Sequence, residues 1–381
     1  MMNVEQADVR RVIFTGDFFR PSQYRETPTQ HFNIGWLADL VGQQVSIAAG
    51  LPIERLFWGI DGRSEGQLNT HAIRAIYAGL GLNGISLDNW AKLQWMTEFT
   101  PSVRGYFDFL FKDALVIGFE LPDIIKHYLS SAGIPYVDCL IHPIRFMDDI
   151  FLGFASNHAG IREALKGESL PDEAIGVGAG LTSAAAGRHF SFDCRGRTAL
   201  VIGQVTSDRT QIKDGAFVGF ADFADRLNLL LADFDDVLVK AHPFDPDNVG
   251  IRFIEGTNIK ARRVHDNVYS LMSLAKMQDV ITLSSSVGME AAYFGCRTHF
   301  LLGEPVQLYR EEREAMKAAD YVGVYDAFLT PDFWRSLLRP LKNVSVTPLS
   351  GFKVFPKPNR LRISLQSFWG FDVIDGGQRA A

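Results

Sequence analysis

The chain has 381 residues, too many for one ordinary compact core and suited to two domains of about 150–200 residues each. With 47% hydrophobic and 22% charged residues it has the balance of a folded globular protein, and a net charge of -6 argues against a general nucleic-acid binder. Cys139, Cys194 and Cys296 are too scattered for a disulfide framework or a zinc site, which fits a reducing cytoplasm.

The N-terminus, Met1 to Arg11, carries charges where a signal peptide needs an apolar core. No apolar run approaches the roughly 18 residues that span a bilayer. Val12–Phe14 reads as a first strand that breaks at Thr15-Gly16-Asp17. Ala114–Phe119 is a buried strand without polar alternation, followed by a helix over Asp123–Ser131 that Gly133 closes. Ile134–Ile141 is the next strand, so the first half contains a βαβ unit. Residues 20–110 carry no recognisable motif.

From about Gly167 to Arg197 the pattern weakens. Gly176, Gly178, Gly180 and Gly187 predict a helix end and a linker, followed by the basic residues Arg188, Arg195 and Arg197. No Lys-Ser/Thr follows these glycines, so they do not form a P-loop. The α/β rhythm then restarts. Strands are expected at Thr198–Gly203, Val237–Ala241, Ile259–Val264, Val280–Leu283 and His299–Leu302. Helices are expected over Phe220–Phe234, Asn267–Met277 and Val287–Phe294. Alternating short strands and helices imply a parallel sheet with right-handed crossovers. The predicted architecture is α/β, with two Rossmann-like parallel-sheet domains facing across a cleft (the GT-B plan, which other two-domain enzymes share). Its expected divisions are 1–190, 191–345 and a tail, 346–381, placed to pack back on the first domain.

Ligands of open parallel sheets bind at the carboxyl ends of the strands, and candidates gather there. Gln204 to Asp208 follows the strand from Thr198; Asp208 could reach a sugar in the cleft or simply cap a turn. Lys240-Ala241-His242-Pro243 sets a histidine at a strand end, where it could donate to a phosphate. His142-Pro143 is a second such pair with poorer neighbours. Ser284, Ser285 and Ser286 stand at a helix start, where hydroxyls and backbone N–H groups favour an anion; the bland alternative is a plain N-cap. Gly288 would let a ligand approach, and Glu290 would accept from ribose hydroxyls. In the first domain Glu120 would face the cleft opposite Asp208, or serve as an acidic first-turn residue. Asp148-Asp149 and Asp235-Asp236 are adjacent pairs that read as solvated turn or cap residues, so no metal site is expected.

Three segments in this order resemble the retaining β-Kdo glycosyltransferases of bacterial capsule and lipopolysaccharide O-antigen assembly. They are Gln-x-x-x-Asp at Gln204–Asp208, Lys-x-His-Pro at Lys240–Pro243 and Ser-Ser-x-x-Gly-x-Glu-Ala at Ser285–Ala291. Bacterial sialyltransferases share the His-Pro and Ser-Ser elements. The resemblance implies a GT-B enzyme that takes CMP-Kdo as donor and a glycan as acceptor, with no metal or other cofactor. It implies Asp208 as nucleophile, and His242 with Ser284–Ser286 on the CMP phosphate. Glu120 is carried over on the short match Gly118–Leu121. Lys240, Arg209, Lys213 and His242 would supply positive charge for the phosphate and the Kdo carboxylate. The implied setting is the cytoplasm, with room for peripheral contact with the inner membrane or a polysaccharide assembly complex. Alternatives are an inverting sialyltransferase-like enzyme with Asp208 as general base, a nucleotide-sugar hydrolase or epimerase, and a non-catalytic nucleotide-binding module.

Overall fold

The structure is a computed structural model and describes residues 4–60, 68–188, 190–310, 315–341 and 358–365. Two α/β domains lie in tandem. In the first, apolar runs form β1 (Arg11–Gly16), β3 (Ala114–Phe119), β4 (Tyr136–Ile141) and β5 (Leu152–Ser156), with a short edge strand β2 (Ile53–Arg55). β2, β1, β3 and β4 run parallel in that spatial order, and β5 adds antiparallel to β4. β3 is buried along its whole length, as expected of a strand covered on both faces.

The second domain opens with β6 (Thr198–Ile202) and a small antiparallel hairpin of β7 (Ile212–Lys213) and β8 (Ala216–Phe217). β9 (Asp236–Lys240), β10 (Ala261–Arg263), β11 (Met277–Thr282) and β12 (Arg297–Phe300) follow. The sheet order is β10-β9-β6-β11-β12, with every pairing parallel. This is a doubly wound sheet whose order reverses beside β6, which puts the crevice between the ends of β6 and β11. Two Rossmann-like domains therefore face each other, as the alternating pattern implies.

Several expectations need correction. The glycine-rich stretch is no linker: Asp172–Gly187 is one helix of 16 residues. A side chain at Gly178 would run into the Met147 sulfur, so the absence of a Cβ there allows close packing against the 144–151 segment. Ile144, Phe146 and Phe151 share a core with Ile175, Ala179 and Leu200, so the last part of the first half packs with the second domain. The long helix expected over Phe220–Phe234 is a 3-10 turn, Phe220–Phe223, followed by a helix, Ala224–Leu231. The helix expected to 277 stops at Met272, because Met277 already belongs to β11.

The chain also returns to the first domain earlier than position 345. β13 (Val322–Val324) pairs antiparallel with β5, and the helix Pro331–Leu338 carries Trp334 into the first core. Of the tail, residues 358–365 are described, and they pack back on the first half. Asp149 accepts from Leu361 N at 2.7 Å and Arg362 N at 3.1 Å, and the Ser364 hydroxyl receives Trp36 Nε1. Asp149 is thus a buried cap rather than a solvated turn residue. Residues 20–110 supply helices at His31–Ala49, Thr70–Gly79, Leu87–Trp95 and Pro101–Leu110. The three cysteines are buried and unbridged. Among the described residues, no helix is long and apolar enough to cross a membrane.

Candidate active site

Where β6 and β11 end side by side, Gln204 ties them together. Its Oε1 accepts from Ser284 N at 2.9 Å, and its Nε2 donates to the hydroxyls of Thr210 at 3.1 Å and Ser284 at 3.3 Å. The Ser284 hydroxyl donates onward to the Thr210 carbonyl at 2.8 Å. Asp208 caps the 3-10 turn Arg209–Gln211, with Oδ1 accepting from Thr210 N and Thr210 Oγ1, each at 3.0 Å. Gln204, Ser284, Thr210 and Asp208 therefore form one continuous polar network.

β9 delivers His242 to the same edge. Its Nδ1 accepts from Phe244 N at 3.1 Å, which puts the proton of the neutral ring on Nε2. Burial pulls the His242 pKa below its usual value, opposed by Asp208 and reinforced by Arg145. At neutral pH the ring is thus an uncharged donor beside an acidic partner. Its loop is firmly held, since Asp245 Oδ2 accepts from Thr206 N at 3.0 Å, Thr206 Oγ1 at 2.7 Å and Asn248 Nδ2 at 2.9 Å. Pro243, which has no N–H to give, is exposed there. Phe244, missed from sequence, leaves its ring 81% exposed, with its centroid 5.5 Å from that of His242. Such a ring can stack on a base or a sugar.

From the opposite domain, Glu120 sits just past β3 with φ +52°, a left-handed conformation that costs a side-chain-bearing residue strain. The turn is held from behind: Glu120 N donates to the Cys139 carbonyl at 2.8 Å and Leu121 N to the buried Asp138 carboxylate at 2.9 Å. Beside it, past β1, lies a second buried carboxylate that sequence reasoning passed over. Asp17 accepts from Phe19 N at 3.2 Å and from Trp90 Nε1 and Gln94 Nε2, each at 3.0 Å. Burial raises its pKa to about 6 against the pull of Arg209 and the Trp90 hydrogen bond. The strand-end rule that singles out Asp208 would have found it after Val12–Phe14.

Two arginines cross between the domains. Arg209 Nη1 donates to the Glu120 carbonyl at 3.0 Å, and Arg20 Nη2 to the Ser207 carbonyl at 3.0 Å. Burial works against the Arg209 charge, but Glu120, Asp123 and Asp17 outweigh it and raise its pKa. The carboxyl edges of the two sheets therefore meet around residues 207–209.

Other expected site residues are engaged elsewhere. Lys240 Nζ donates to the carbonyls of Asp266 at 2.7 Å and His265 at 3.4 Å, so it ties down the loop after β10. Of the three serines, Ser284 is consumed by the Gln204 network and Ser285 caps Val287 N at 3.3 Å, leaving Ser286 half-buried at the helix start. The space at Gly288 is needed by the fold, since a Cβ there would meet Phe300 and Thr298 of β12. Glu290 is 1% exposed, and its Oε1 accepts from Arg145 N at 2.7 Å and Tyr269 Oη at 3.0 Å. It therefore joins the second domain to the 144–151 segment rather than presenting itself to a ribose. His142 is buried against Phe151, with ring centroids 4.2 Å apart, and is a core residue. Asp236 receives two hydrogen bonds from Arg262, at 2.9 and 2.6 Å. Among the described residues, no three His, Cys, Asp or Glu side chains gather as metal ligands would.

No protein-family model matches the chain, and no curated protein matches it significantly. Among solved structures, the chain is similar to the β-Kdo 2,7-transferase of Thermosulfurimonas dismutans KpsC. The identity is 12% and the TM-score 0.33, over 63% of this chain and 80% of that one. The β-Kdo 2,4-transferase of the same KpsC is matched at 12% identity and a TM-score of 0.33, over 49% of this chain and 67% of that one.

Proposed function

We propose that this chain is a glycosyltransferase that moves Kdo from CMP-Kdo to a bacterial surface glycan with retention of configuration. The carrying observation is the gathering of Asp208, His242 and the Gln204–Ser284 network on one sheet edge, with Glu120 of the other domain bonded to the residue next to Asp208. The donor identity draws on the resemblance of Gln204–Asp208, Lys240–Pro243 and Ser285–Ala291 to the β-Kdo transferases.

In this reading His242 Nε2–H, Ser286 and the first N–H groups of the following helix hold the CMP phosphate. An Asp208 carboxylate oxygen bonds to the anomeric carbon as the bond from that carbon to the phosphate oxygen breaks, and CMP leaves with the electron pair. The acceptor hydroxyl then attacks the same carbon, its proton passes to Glu120, and the Asp208 carboxylate is released. Two inversions give retention. The neutral donors and the positive end of the helix stabilise the leaving phosphate, so no metal or other cofactor takes part. The partners are the CMP-sugar and a glycan, met in the cytoplasm at the inner membrane or in a polysaccharide assembly complex.

The test is incubation with CMP-Kdo, measuring CMP release with water as acceptor, with and without EDTA, and thermal shift with CMP, UDP and GDP. CMP release that survives EDTA and protection by CMP alone are expected. Equal protection by UDP would remove the donor assignment, and EDTA-sensitive turnover restored by magnesium would remove the metal-free mechanism.

A further inference from the structure

The loop that carries Asp208 belongs to the second domain, yet the residues on either side of it are bonded to the first. Arg209 reaches the Glu120 carbonyl, and Arg20 reaches the Ser207 carbonyl, one residue before Asp208. Arg20 does not stand alone. Its guanidinium carbon lies 4.9 Å from the centroid of the Trp90 ring. Trp90 is fully buried, and its indole N–H is spent on Asp17 at 3.0 Å. Asp17 is fixed in turn by Phe19 N and Gln94 Nε2, and the Phe19 carbonyl receives the Tyr77 hydroxyl at 2.9 Å. The small hairpin following Asp208 closes on the same helix, with the Phe217 ring centroid 6.0 Å from that of Trp90.

We infer that Arg20 is a positioning residue for Asp208, held for that role by the Trp90 ring and the buried Asp17 carboxylate. The physical argument is one of pre-organisation. A flat indole face sets the plane and direction of the guanidinium, and the guanidinium spends an N–H on a main-chain carbonyl one peptide away from the reacting carboxylate. Asp17 fixes the indole by taking its only donor, and its negative charge lies near both arginines that cross the gap. A polar network that is satisfied at every joint rigidifies, and a carboxylate that must approach a carbon within a few tenths of an ångström depends on that rigidity. Sequence gives Arg20 no motif, because it acts through a carbonyl 187 residues away.

This inference rests on the reading of Asp208 as the reacting group, so its test has one readout that needs no substrate. In the full chain, Arg20→Ala should speed amide hydrogen exchange across residues 206–211 and leave the helix Asp172–Gly187 unchanged. With CMP-Kdo as the probe, the same variant should form the glycosyl adduct about 10- to 100-fold more slowly, with unchanged affinity for CMP. Arg20→Lys, which keeps the charge and loses the planar fork, should recover only part of that rate. Asp17→Asn, which removes the charge with little change in shape, should slow the same step without moving CMP affinity.

Unchanged exchange at 206–211 in a folded Arg20→Ala protein would overturn the inference whatever the substrate is. Unchanged adduct formation would overturn it too, as would a parallel loss of CMP affinity, which marks general damage rather than positioning. Full CMP release by Asp208→Asn would strike the mechanism instead, leaving the exchange result to decide whether Arg20 holds the loop. Should Arg20→Ala fail to fold, Arg20→Lys carries both readouts.

Discussion

Arg209 donates through Nη1 to the backbone carbonyl of Glu120 at 3.0 Å, so the residue after one candidate carboxylate is bonded to the residue that bears the other. The two carboxylates come from sheets with separate cores, and their spacing depends on how the domains meet. The hydrogen bond goes to the Glu120 backbone, and the Glu120 charge adds an attraction for the same guanidinium. The Glu120 main chain thus anchors the second domain without using a carboxylate oxygen.

The conformation of Glu120 gives the first prediction. A φ of +52° suits glycine far better than glutamate, and the strain it stores is about 1–3 kcal/mol. Glu120→Gly should therefore melt at or above the wild-type temperature while turnover of CMP-Kdo falls at least about 100-fold, the range of a lost general base. A variant that melts lower yet remains active would mean that the strained carboxylate is structural. Thermal unfolding and CMP release on the same preparation decide it.

The two His-Pro pairs should separate cleanly. His242→Ala removes a neutral donor beside Asp208, and a lost donor of that kind costs about 10²–10³ in turnover. The fold should hardly notice, because the ring is only half-buried. His142→Ala instead empties a core site stacked on Phe151, where burial already pushes the imidazole pKa down to about 3. It should destabilise by roughly 1–3 kcal/mol and leave kcat/KM nearly intact in the protein that remains folded. Reversed sensitivities in activity assays and urea melts would put the phosphate at His142.

These contrasts mark how far the sequence could be read. Strand ends were legible because apolar runs such as Ala114–Phe119 and Thr198–Ile202 stop abruptly, and position along a parallel strand is a local property. What a side chain meets is not local. Gly288 and a ligand-facing glycine look alike in one dimension, and only the arrival of Phe300 and Thr298 from β12 separates them. Glu290 follows the serines as a ribose ligand would, yet it is claimed by Arg145 N from 145 residues away. The helix Asp172–Gly187 was hidden because its glycines lower helix propensity, which packing against Met147 and the second core overrides. β13 has three residues and pairs with the first sheet, so only tertiary structure reveals where the chain turns back.

Glu290 offers a prediction in pH. Burial raises its pKa from 4.5 to about 7, against the Arg145 N–H and the nearby Arg145 charge. The folded protein therefore holds this proton more tightly than the unfolded chain. The associated stability is fully present below pH 4.5 and is lost as pH rises toward 7. Glu290→Gln keeps an acceptor for Arg145 N and Tyr269 Oη but cannot ionise. Its advantage over wild type should grow between pH 5 and 8, reaching on the order of 1–3 kcal/mol at the upper end. Chemical denaturation across that range measures it. A constant difference between the two proteins would show that Glu290 does not titrate there.

Asp208 carries the most exposed prediction. If retention proceeds through a covalent intermediate, an oxygen of this side chain must hold Kdo until an acceptor arrives. Oδ1 is already turned toward Thr210 N and Thr210 Oγ1, so the carboxylate is anchored through one oxygen, and Oδ2 is the atom that would attack. Asp208→Asn preserves that anchor, since an amide oxygen can take the place of Oδ1, and it removes only the charge. The variant should keep its fold and its affinity for CMP while turnover falls by several orders of magnitude. Intact mass spectrometry of the wild type with CMP-Kdo and no glycan acceptor, quenched before water clears the intermediate, should show one added Kdo, mapped to the peptide containing Asp208. An adduct on Glu120 would exchange the roles of the two carboxylates. A fully active Asp208→Asn enzyme with a retained product would remove Asp208 from the chemistry and leave it as the cap of the Arg209–Gln211 turn.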